Sequence, residues 1–444
     1  MSPIAFPRLL SPVSAQILTL LPQLAAFERQ PPAAQAQAQS RQLAALLRHA
    51  QRHSPFWRER LAPFDKAMRL HDLPVLSRAD LQARADEIRC EKGTPLPLGT
   101  ATFTAQTSGS TGTPVRVTKS APLYNILYQA QALRHQAWHK MDTNLDAIAI
   151  RDAQDGVRDK PWGLVPAETG SRARCFVMNM IEHPAEDIWK WLRTLKAPYL
   201  TTTAAMVLRL AELAAADRDH GFRLDAVMTF GEVVRPEHRR AAREAFGARI
   251  VDRYSSEEVG WMAFQCPRHD HYHALSATTL VEVVDDDDRP VAPGEEGRVL
   301  VTSMHSYAMP IIRYDIGDRA VAGEPCDCGI RLPVIKEILG RERSFVMLPD
   351  GSTRLARLTG EYWREIAPVR EYRVVQYRDG EIEGFVTTER PPSAEEIQAM
   401  EAMLRDRLHP SLKVRVTPVE RIDWNSRWKR LDIARVDHLR GEAP

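Results

Sequence analysis

The sequence predicts an α/β protein in which a large N-terminal domain, built of α/β sheets and a β-meander, precedes a small α+β domain. Short β-type runs alternate with helical runs between about residues 100 and 340, which is typical of a layered α/β domain. After Gly340-Arg341 the pattern restarts with the order β-β-α-β. We therefore predict one domain over residues 1–340 and a second over 341–444.

The first 95 residues are predicted to be a mainly helical leader. Leucines recur at three- to four-residue spacings, at positions 18, 21, 24, 43, 46 and 47. The Pro31-Pro32 pair predicts a break between two helices. Pro3, Pro7 and Pro12 interrupt the apolar N-terminus, which favours a packed helix over a signal peptide.

Five segments of the large domain have clear patterns. Residues 226–230 read as a buried strand, 235–246 as a helix and 249–254 as the next strand. The alternating runs 279–284 and 297–302 flank an acidic turn, which predicts a hairpin or meander.

The small domain is predicted from the residues beyond the boundary. Residues 372–377 and 382–387 read as strands paired around Asp379-Gly380, a strong hairpin-turn signal. A helix over 393–408 should begin with a capping box, and 414–417 should form a further strand.

Composition limits the classes of partner. The net charge is +2, so neither nucleic acid nor an anionic membrane is indicated as a partner. No apolar run reaches the length of a membrane span. Five sparse cysteines argue against a disulfide scaffold, so we expect a reducing, cytoplasmic location.

The most informative string is Thr107-Ser108-Gly109-Ser110-Thr111-Gly112-Thr113. Its glycines let backbone N–H groups converge on an anion, and its hydroxyls add donors for phosphate oxygens. No Gly-Lys-Ser/Thr ending is present, so it differs from the common nucleotide loop. The alternative interpretation is a flexible Ser/Gly/Thr linker.

This loop is similar to the phosphate loop of the adenylate-forming superfamily, which includes acyl-CoA synthetases, luciferases and peptide-synthetase adenylation domains. Many members carry a lysine soon after the loop, where this chain has Val115. In that respect it looks like the phenylacetate–CoA ligase branch. The nearest basic groups are Arg116 and Lys119. The resemblance implies ATP and Mg²⁺ as cofactors.

The same superfamily is matched further along the chain. Gly231-Glu232 resembles a segment that lines the adenine. Tyr254-Ser255 begins a segment in which, by resemblance, Tyr254 packs on adenine and Glu258 binds Mg²⁺. Ser255 replaces a usual glycine and Glu257 a usual serine or threonine.

The remaining matches lie towards the C-terminus. The resemblance assigns Asp318 to the ribose hydroxyls, Arg341 to ribose or phosphate, and Arg343 to a hinge about which the small domain rotates. Lys429 matches the lysine that bridges the carboxylate and the α-phosphate, although Trp428 replaces the usual preceding glycine. We expect Lys429, Glu258 and Thr107 to be the catalytic residues.

The resemblance implies that a carboxylic acid, by branch an aryl acid, is converted to acyl-AMP and then transferred to CoA. A carrier-protein phosphopantetheine and an amine remain alternative acceptors. The departures at Ser255, Glu257 and Trp428 leave open a non-catalytic nucleotide-binding protein. The acyl pocket is expected to draw on residues 135–165, 230–236 and 254–262. The oligomeric state is open, and a dimer is compatible with the sequence.

A cysteine–histidine set forms a second candidate site. Cys266, His273, Cys326 and Cys328 have residue types and spacings suited to a closed, structural Zn²⁺ site. His271 and His269 are rivals for the histidine position. The alternative is a set of reduced, buried cysteines beside exposed histidines.

Overall fold

The structure is a computed structural model that describes the chain except residues 1–8, 63–68, 92–94, 96–98, 108–113, 218–219, 342–344, 357, 359, 423–432, 437 and 442–444. The chain divides into two compact units, Met1–Ile338 and Leu339–Pro444. The division lies close to the boundary expected near residue 341.

Helices precede and flank the sheet of the larger unit. They are α1 (Pro12–Phe27), α2 (Pro32–His53), α3 (Pro55–Arg60), α4 (Arg78–Ala83), α5 (Ala85–Ile88), α6 (Ala121–Trp138), α7 (Leu164–Thr169), α8 (Ala185–Leu192), α9 (Ala204–Ala216) and α10 (Pro236–Phe246). Helix α2 begins at Pro32, as the predicted break requires. Ser11 caps α1 by accepting a hydrogen bond from the Ser14 backbone N–H at 3.2 Å.

Strands of this unit form a two-stranded hairpin and most of a twelve-stranded sheet. They are β1 (Thr102–Gln106), β2 (Arg116–Ser120), β3 (Ala147–Arg151), β4 (Gly156–Asp159), β5 (Arg174–Asn179), β6 (Tyr199–Thr202), β7 (Ala226–Thr229), β8 (Arg249–Ser256), β9 (Gly260–Gln265), β10 (Tyr272–Ala274), β11 (Thr279–Val284), β12 (Glu296–Ser303), β13 (Tyr314–Ala322) and β14 (Val334–Arg341). The large sheet has the order β11-β12-β13-β14-β10-β9-β8-β7-β6-β3-β5-β4.

One half of the large sheet is mainly parallel. Strands β5, β3, β6, β7 and β8 pair in parallel, and β4 adds an antiparallel edge. The short strand β7 is buried along its whole length, as expected for a parallel strand covered by helices. Ile148, Leu200 and Val227 pack with Leu210 of α9 and Phe246 of α10 in one apolar cluster.

The other half is antiparallel from β8 onwards, and β11 and β12 form the predicted hairpin. Three strands separate β8 from β13, so in a flat sheet their side chains would lie about 19 Å apart. Tyr254 on β8 nevertheless contacts Asp318 on β13 at 2.7 Å. The sheet therefore curls until these strands face each other, and the enclosed core contains Met262, Val301 and Tyr314.

Strands β1 and β2 form a separate antiparallel hairpin, in which Gln106 pairs with Arg116 and Thr102 with Ser120. In the sequence, the Thr107–Thr113 string lies between these two strands. Buried Val115 and Val117 anchor the hairpin in the same core as the curled strands. Two strands alone are marginally stable, so this packing supplies the support that the hairpin needs.

The smaller unit is α+β. Its elements are β15 (Phe345–Met347), β16 (Thr353–Leu355), α11 (Gly360–Arg364), β17 (Val369–Gln376), β18 (Ile382–Thr388), α12 (Ala394–Arg407), β19 (Val414–Pro418) and β20 (Ile433–Arg435). Four strands form a sheet of order β19-β18-β17-β20. The predicted capping box is present: Glu396 N–H donates to Ser393 Oγ at 3.1 Å and Ser393 N–H to Glu396 Oε2 at 2.7 Å.

Within the described ranges, no helix combines the length and the apolar character that crossing a membrane requires.

Candidate functional site

Tyr254 and Asp318 form a buried polar pair. Both residues are 8% exposed, and the Tyr254 hydroxyl donates to Asp318 Oδ2 at 2.7 Å. This bond holds one carboxylate oxygen, and a carboxylate is a type of group that can accept hydrogen bonds from the hydroxyls of a ligand. The structure thus brings together the residues that the sequence assigned to adenine and ribose.

Glu258 lies in the turn between β8 and β9 and is 2% exposed. Its Oε1 accepts a hydrogen bond from the Tyr314 hydroxyl at 3.2 Å and lies 3.8 Å from an Arg78 guanidinium nitrogen. Both contacts involve the same oxygen. A carboxylate of this kind suits Mg²⁺, which proteins bind through one or two carboxylates together with substrate phosphates.

The two departures from the superfamily pattern have distinct placements. Ser255 lies at an irregularity in the β8–β9 pairing, where the register shifts between Tyr254 and Ser255. Glu257 is exposed, and its backbone carbonyl accepts a hydrogen bond from Lys119 Nζ at 2.7 Å. Neither departure disturbs the Tyr254–Asp318 contact.

Thr107 closes the base of the predicted phosphate loop. Its backbone N–H donates to the Val115 carbonyl at 3.0 Å, and its Oγ1 accepts from the Val115 N–H at 2.9 Å. These bonds join Thr107, where the string begins, to Val115, which follows the string in the sequence. Residues Ser108, Gly109, Ser110, Thr111, Gly112 and Thr113 lie outside the described residues.

Gly231 and Glu232 follow β7. Gly231 has a φ of 75°, in the left-handed region that favours glycine. Glu232 Oε2 accepts a hydrogen bond from the Ala205 backbone N–H at 2.8 Å, at the first turn of α9. A carboxylate at a helix N-terminus is favourably placed, so Glu232 has a structural contact in addition to its predicted role.

Three other predicted residues belong to the C-terminal part. Arg341 is the final residue of β14 and lies in the smaller unit. The predicted hinge Arg343 and the predicted catalytic Lys429 lie outside the described residues.

A cavity borders Glu258 in the larger unit. Its lining includes Lys119, Tyr124, Tyr128, Trp261 and His305, and the space open to the centre of a water molecule is about 60 Å³. The three aromatic rings form one wall: centroids lie 5.7 Å apart for Tyr124 and Tyr128, and 4.0 Å apart for Tyr128 and Trp261. The expected ranges 135–165 and 230–236 do not line this cavity, whereas residues of 254–262 do.

Gly260 is required beside this wall. Its φ is 91°, and an added Cβ would lie 3.2 Å from the Tyr124 ring. Lys119 extends over the same ring, with Nζ 4.3 Å from the Tyr124 centroid. Burial lowers the pKa of Lys119 to about 8, while the nearby Glu257 and Glu258 carboxylates oppose the shift.

The cysteine–histidine set forms a compact cluster in the larger unit. Metal-binding atoms of Cys266, His271, His273 and Cys326 all lie within 4.8 Å of one another. The sulfurs of Cys266 and Cys326 are 3.8 Å apart, and Cys328 Sγ lies 3.3 Å from His273 Nε2. The structure thus groups all four predicted ligands. It also places His271 in the cluster, a residue that the sequence left as an alternative for the histidine ligand.

The donors of this cluster fit Zn²⁺, which takes thiolate and imidazole ligands in tetrahedral sites. Burial lowers the pKa of His273 to about 4, so its imidazole is in the neutral, metal-binding form near pH 7. His269 instead contacts Asp327, with Nε2 2.6 Å from Oδ1, and it is exposed.

Several residues near the site were not assigned from the sequence. Tyr124, Tyr128 and Gln131 recur on one face of α6 at helical spacing, and that periodicity was the available signal. Arg78 and Tyr314 had no local signal, because their relevance depends on the curl of the sheet.

One family profile matches the sequence: the family described as AMP-binding enzyme covers residues 68–308, more than half of the chain. This range contains Thr107, Glu232, Tyr254 and Glu258. No curated protein matches the chain in sequence.

Solved structures of CoA ligases have the same fold. A 2-hydroxyisobutyryl-CoA ligase in the postadenylation state in complex with 2-HIB-AMP is 20% identical over 93% of this chain and 91% of that chain, with a TM-score of 0.68. The same ligase with 2-HIB-AMP and CoA, in the thioesterification state, gives a TM-score of 0.58 at 20% identity over 93% and 91%. The anthranilate CoA ligase AuaEII with anthranoyl-AMP is 14% identical over 74% and 65%, with a TM-score of 0.51. These likenesses confirm the predicted fold class.

Proposed function

Since the chain belongs to the AMP-binding enzyme family, we propose that it activates a carboxylic acid with ATP and transfers the acyl group to CoA. The hydrogen bond between Tyr254 and Asp318 is the observation that carries this proposal. It joins an aromatic ring suited to a base with a carboxylate suited to ribose hydroxyls, and Glu258 lies in the turn that follows β8, the strand that carries Tyr254. A nucleoside with an attached phosphate chain fits this set of groups.

The proposed reaction has two steps. A carboxylate oxygen of the acid attacks the α-phosphorus of ATP, forming the acyl–phosphate bond and breaking the bond to pyrophosphate. The CoA thiol then attacks the acyl carbon, loses its proton, and releases AMP. Both steps build negative charge on oxygen, so donors already in position would lower both barriers.

Residue roles within this proposal follow their placements. The loop that Thr107 closes would donate backbone and hydroxyl hydrogens to the β- and γ-phosphates. Glu258 would hold Mg²⁺, which neutralises phosphate charge when bound. Lys429 would contact the carboxylate and the α-phosphate. Arg341 and the hinge Arg343 would act through the smaller unit, by resemblance to the superfamily.

The proposal also covers the class of the carboxylic acid and the identity of the acyl acceptor. We assign the chain to the phenylacetate–CoA ligase-like branch because Val115 replaces the loop lysine, and on that basis we favour an aryl or similar acid. The aromatic wall of Tyr124, Tyr128 and Trp261 supports an acid with a flat or apolar body. CoA is favoured over a carrier protein or an amine, because related solved ligases use CoA.

A structural Zn²⁺ site is a further part of the proposal. The cluster of Cys266, His271, His273 and Cys326, with Cys328 beside it, supports this role. It joins the β9–β10 connection to the segment after β13, the strand that carries Asp318. A bound ion would therefore stabilise the strand that supplies the ribose contact.

Carboxylate-dependent exchange of labelled pyrophosphate into ATP tests the first step. We expect exchange with at least one acid in a panel of aryl, short-chain and fatty acids. Addition of CoA should then yield the thioester of the same acid. A phosphopantetheinyl carrier protein and a panel of amines, supplied in parallel reactions, test the two alternative acceptors.

Tight ATP binding without exchange for any acid would instead indicate a non-catalytic nucleotide-binding protein. Exchange without thioester formation would retain the adenylation step and reject CoA as the acceptor.

A further inference from the structure

Lys119 is held on the wall of the cavity that Glu258 borders. It lies on β2, is half-buried, and donates from Nζ to the Glu257 carbonyl at 2.7 Å. The Tyr124 ring lies beneath it at 4.3 Å. A lysine normally extends into water, so these two contacts fix the ammonium group at a specific place.

The charges around this cavity are few. Among the described lining residues, Lys119 and Glu258 are the only lysine, arginine or carboxylate side chains. Burial lowers the pKa of the lining His305 to about 4, so this imidazole is neutral near pH 7. Glu258 is already bound by Tyr314 and Arg78. The cavity therefore presents one cation without an ion-pair partner among the residues that the structure describes.

The ammonium group retains hydrogen-bonding capacity. A lysine has three N–H donors, and the Glu257 carbonyl uses one of them. No second acceptor lies within hydrogen-bond distance of Nζ in the described part of the chain. A carboxylate oxygen at this position would receive a charge-assisted hydrogen bond, which is stronger than a neutral one.

Distance along the hairpin separates Lys119 from the phosphate loop. The base of the loop is closed at Val115, and Lys119 follows four residues later. At about 3.3 Å per residue, their backbones lie roughly 13 Å apart, which is longer than a lysine side chain. Lys119 is therefore suited to bind an anion inside the cavity. It is too far from the loop to bind the phosphates that the loop is proposed to hold.

The size and lining of the cavity restrict the acid. The space open to the centre of a water molecule is about 60 Å³, several times the minimum that a single water needs. Tyr124, Tyr128 and Trp261 form its aromatic wall, and Gly260 keeps a side chain from narrowing it. A compact acid with an apolar body fits this space better than a long fatty acid.

We propose that Lys119 binds the carboxylate of a compact acid whose body lies against Tyr124 and Tyr128. The inference rests on the proposed function, because it takes this cavity as the acyl site of the adenylation step. Lys119 keeps its proton throughout. Its hydrogen bond holds one carboxylate oxygen while the other attacks the α-phosphorus and pyrophosphate leaves.

The test compares Lys119→Met, which removes the charge at similar length, with wild type in acid-dependent ATP–pyrophosphate exchange. Loss of a hydrogen bond to a charged group predicts a rise in KM for the acid of roughly 10- to 100-fold. KM for ATP should change less than about twofold, because no ATP contact is removed. Arg116→Met is the matched control: Arg116 is an exposed cation on the same strand, and KM for the acid should be unchanged.

A second measurement separates binding of the carboxylate from a structural role. Primary alcohols matching the active acid are tested as competitive inhibitors. Wild type should bind the acid more tightly than the alcohol, and Lys119→Met should lose most of that preference, because Lys429 is then the remaining cation proposed to contact the carboxylate. Lys119→Gln, which keeps a neutral donor, repeats the comparison if Lys119→Met does not fold.

The outcomes are distinct. An unchanged KM for the acid in Lys119→Met, or a rise confined to KM for ATP, overturns the inference and leaves the proposed function intact. An equal preference of wild type for acid and alcohol also overturns it. If wild-type protein supports no exchange with any acid, the proposed function fails and the inference fails with it.

Discussion

Replacing Tyr254 with phenylalanine removes one hydroxyl and keeps the aromatic ring. The ring can still pack on a base, so the substitution isolates the hydrogen bond to Asp318, 2.7 Å long between two buried residues. Hydrogen bonds to charged groups contribute about 1.5–3 kcal/mol to the free energy of unfolding. We expect the substitution to lower the free energy of unfolding of the larger unit by about that amount.

The corresponding change in melting temperature follows from the size of the unit. At roughly 2.1 cal/mol/K per residue, unit Met1–Ile338 has an unfolding entropy of about 0.7 kcal/mol/K. The melting temperature should therefore fall by about 2–4 °C. Differential scanning calorimetry on the full chain measures this shift.

Nucleotide affinity should change separately. The variant removes one of the contacts that order Asp318, so part of this ordering moves to the ATP-binding step, and ordering one side chain costs about 0.5–1.5 kcal/mol. This predicts a rise of roughly 2- to 10-fold in KM for ATP, with KM for the acid unchanged. Steady-state exchange at varied ATP measures it.

Tyr272→Phe is the matched control. The Tyr272 hydroxyl donates to Asp252 Oδ2 at 2.6 Å in another buried tyrosine–aspartate pair. The Tyr272→Phe substitution should lower the melting temperature by a similar amount and leave KM for ATP unchanged. If Tyr254→Phe and Tyr272→Phe give the same KM for ATP, the Tyr254–Asp318 pair acts in packing and our assignment of the ribose contact is wrong.

Three further predictions concern the remaining groups. Lys429→Ala should lower the exchange rate about 100- to 1000-fold, since it removes a preorganised donor, and an unaffected rate would exclude Lys429 from the adenylation step. Glu258→Gln should lower the exchange rate about 100-fold and raise the Mg²⁺ concentration needed for exchange. Glu257→Gln, at an exposed position, should change neither quantity. Equal effects of the two substitutions would contradict Mg²⁺ binding by Glu258. Cys266→Ser should lose zinc and have a lower melting temperature, whereas Cys175→Ser should keep the metal. Elemental analysis of the wild-type protein measures the zinc content. Less than about half a zinc per chain, together with no loss of stability when a chelator is added, would exclude the site.

Elements that depend on local patterns were predictable from the sequence. The β11–β12 hairpin, helix α10 and the capping box of α12 were predicted within a few residues, because periodicity and capping chemistry act over short distances. Family motifs also identified Tyr254 and Asp318 individually. By resemblance, these motifs assigned both residues to one nucleotide without giving the contact between them.

The features that could not be predicted from the sequence depend on contacts between segments that are distant in the chain. The curl of the antiparallel half places Tyr314 and Arg78 at Glu258, and nothing local to either residue indicates this. The β1–β2 hairpin was likewise not predicted, although its loop was. The expectation that the acyl pocket draws on 135–165 stays a prediction. The cavity that we propose as the acyl site is lined by residues of α6 before that range and by strands of the curled sheet.

The contact between Tyr254 and Asp318 also bears on how the protein folds. Their positions lie 64 residues apart in the chain, and every strand from β9 to β12 is synthesised between them. A nascent chain that has completed the parallel half already contains Tyr254 but has no Asp318 to meet it. Since non-local contacts form late and slowly, nucleotide binding should appear after helix and strand formation during refolding. ATP would then favour only chains whose sheet has finished curling, and it would act as a ligand that selects the completed fold.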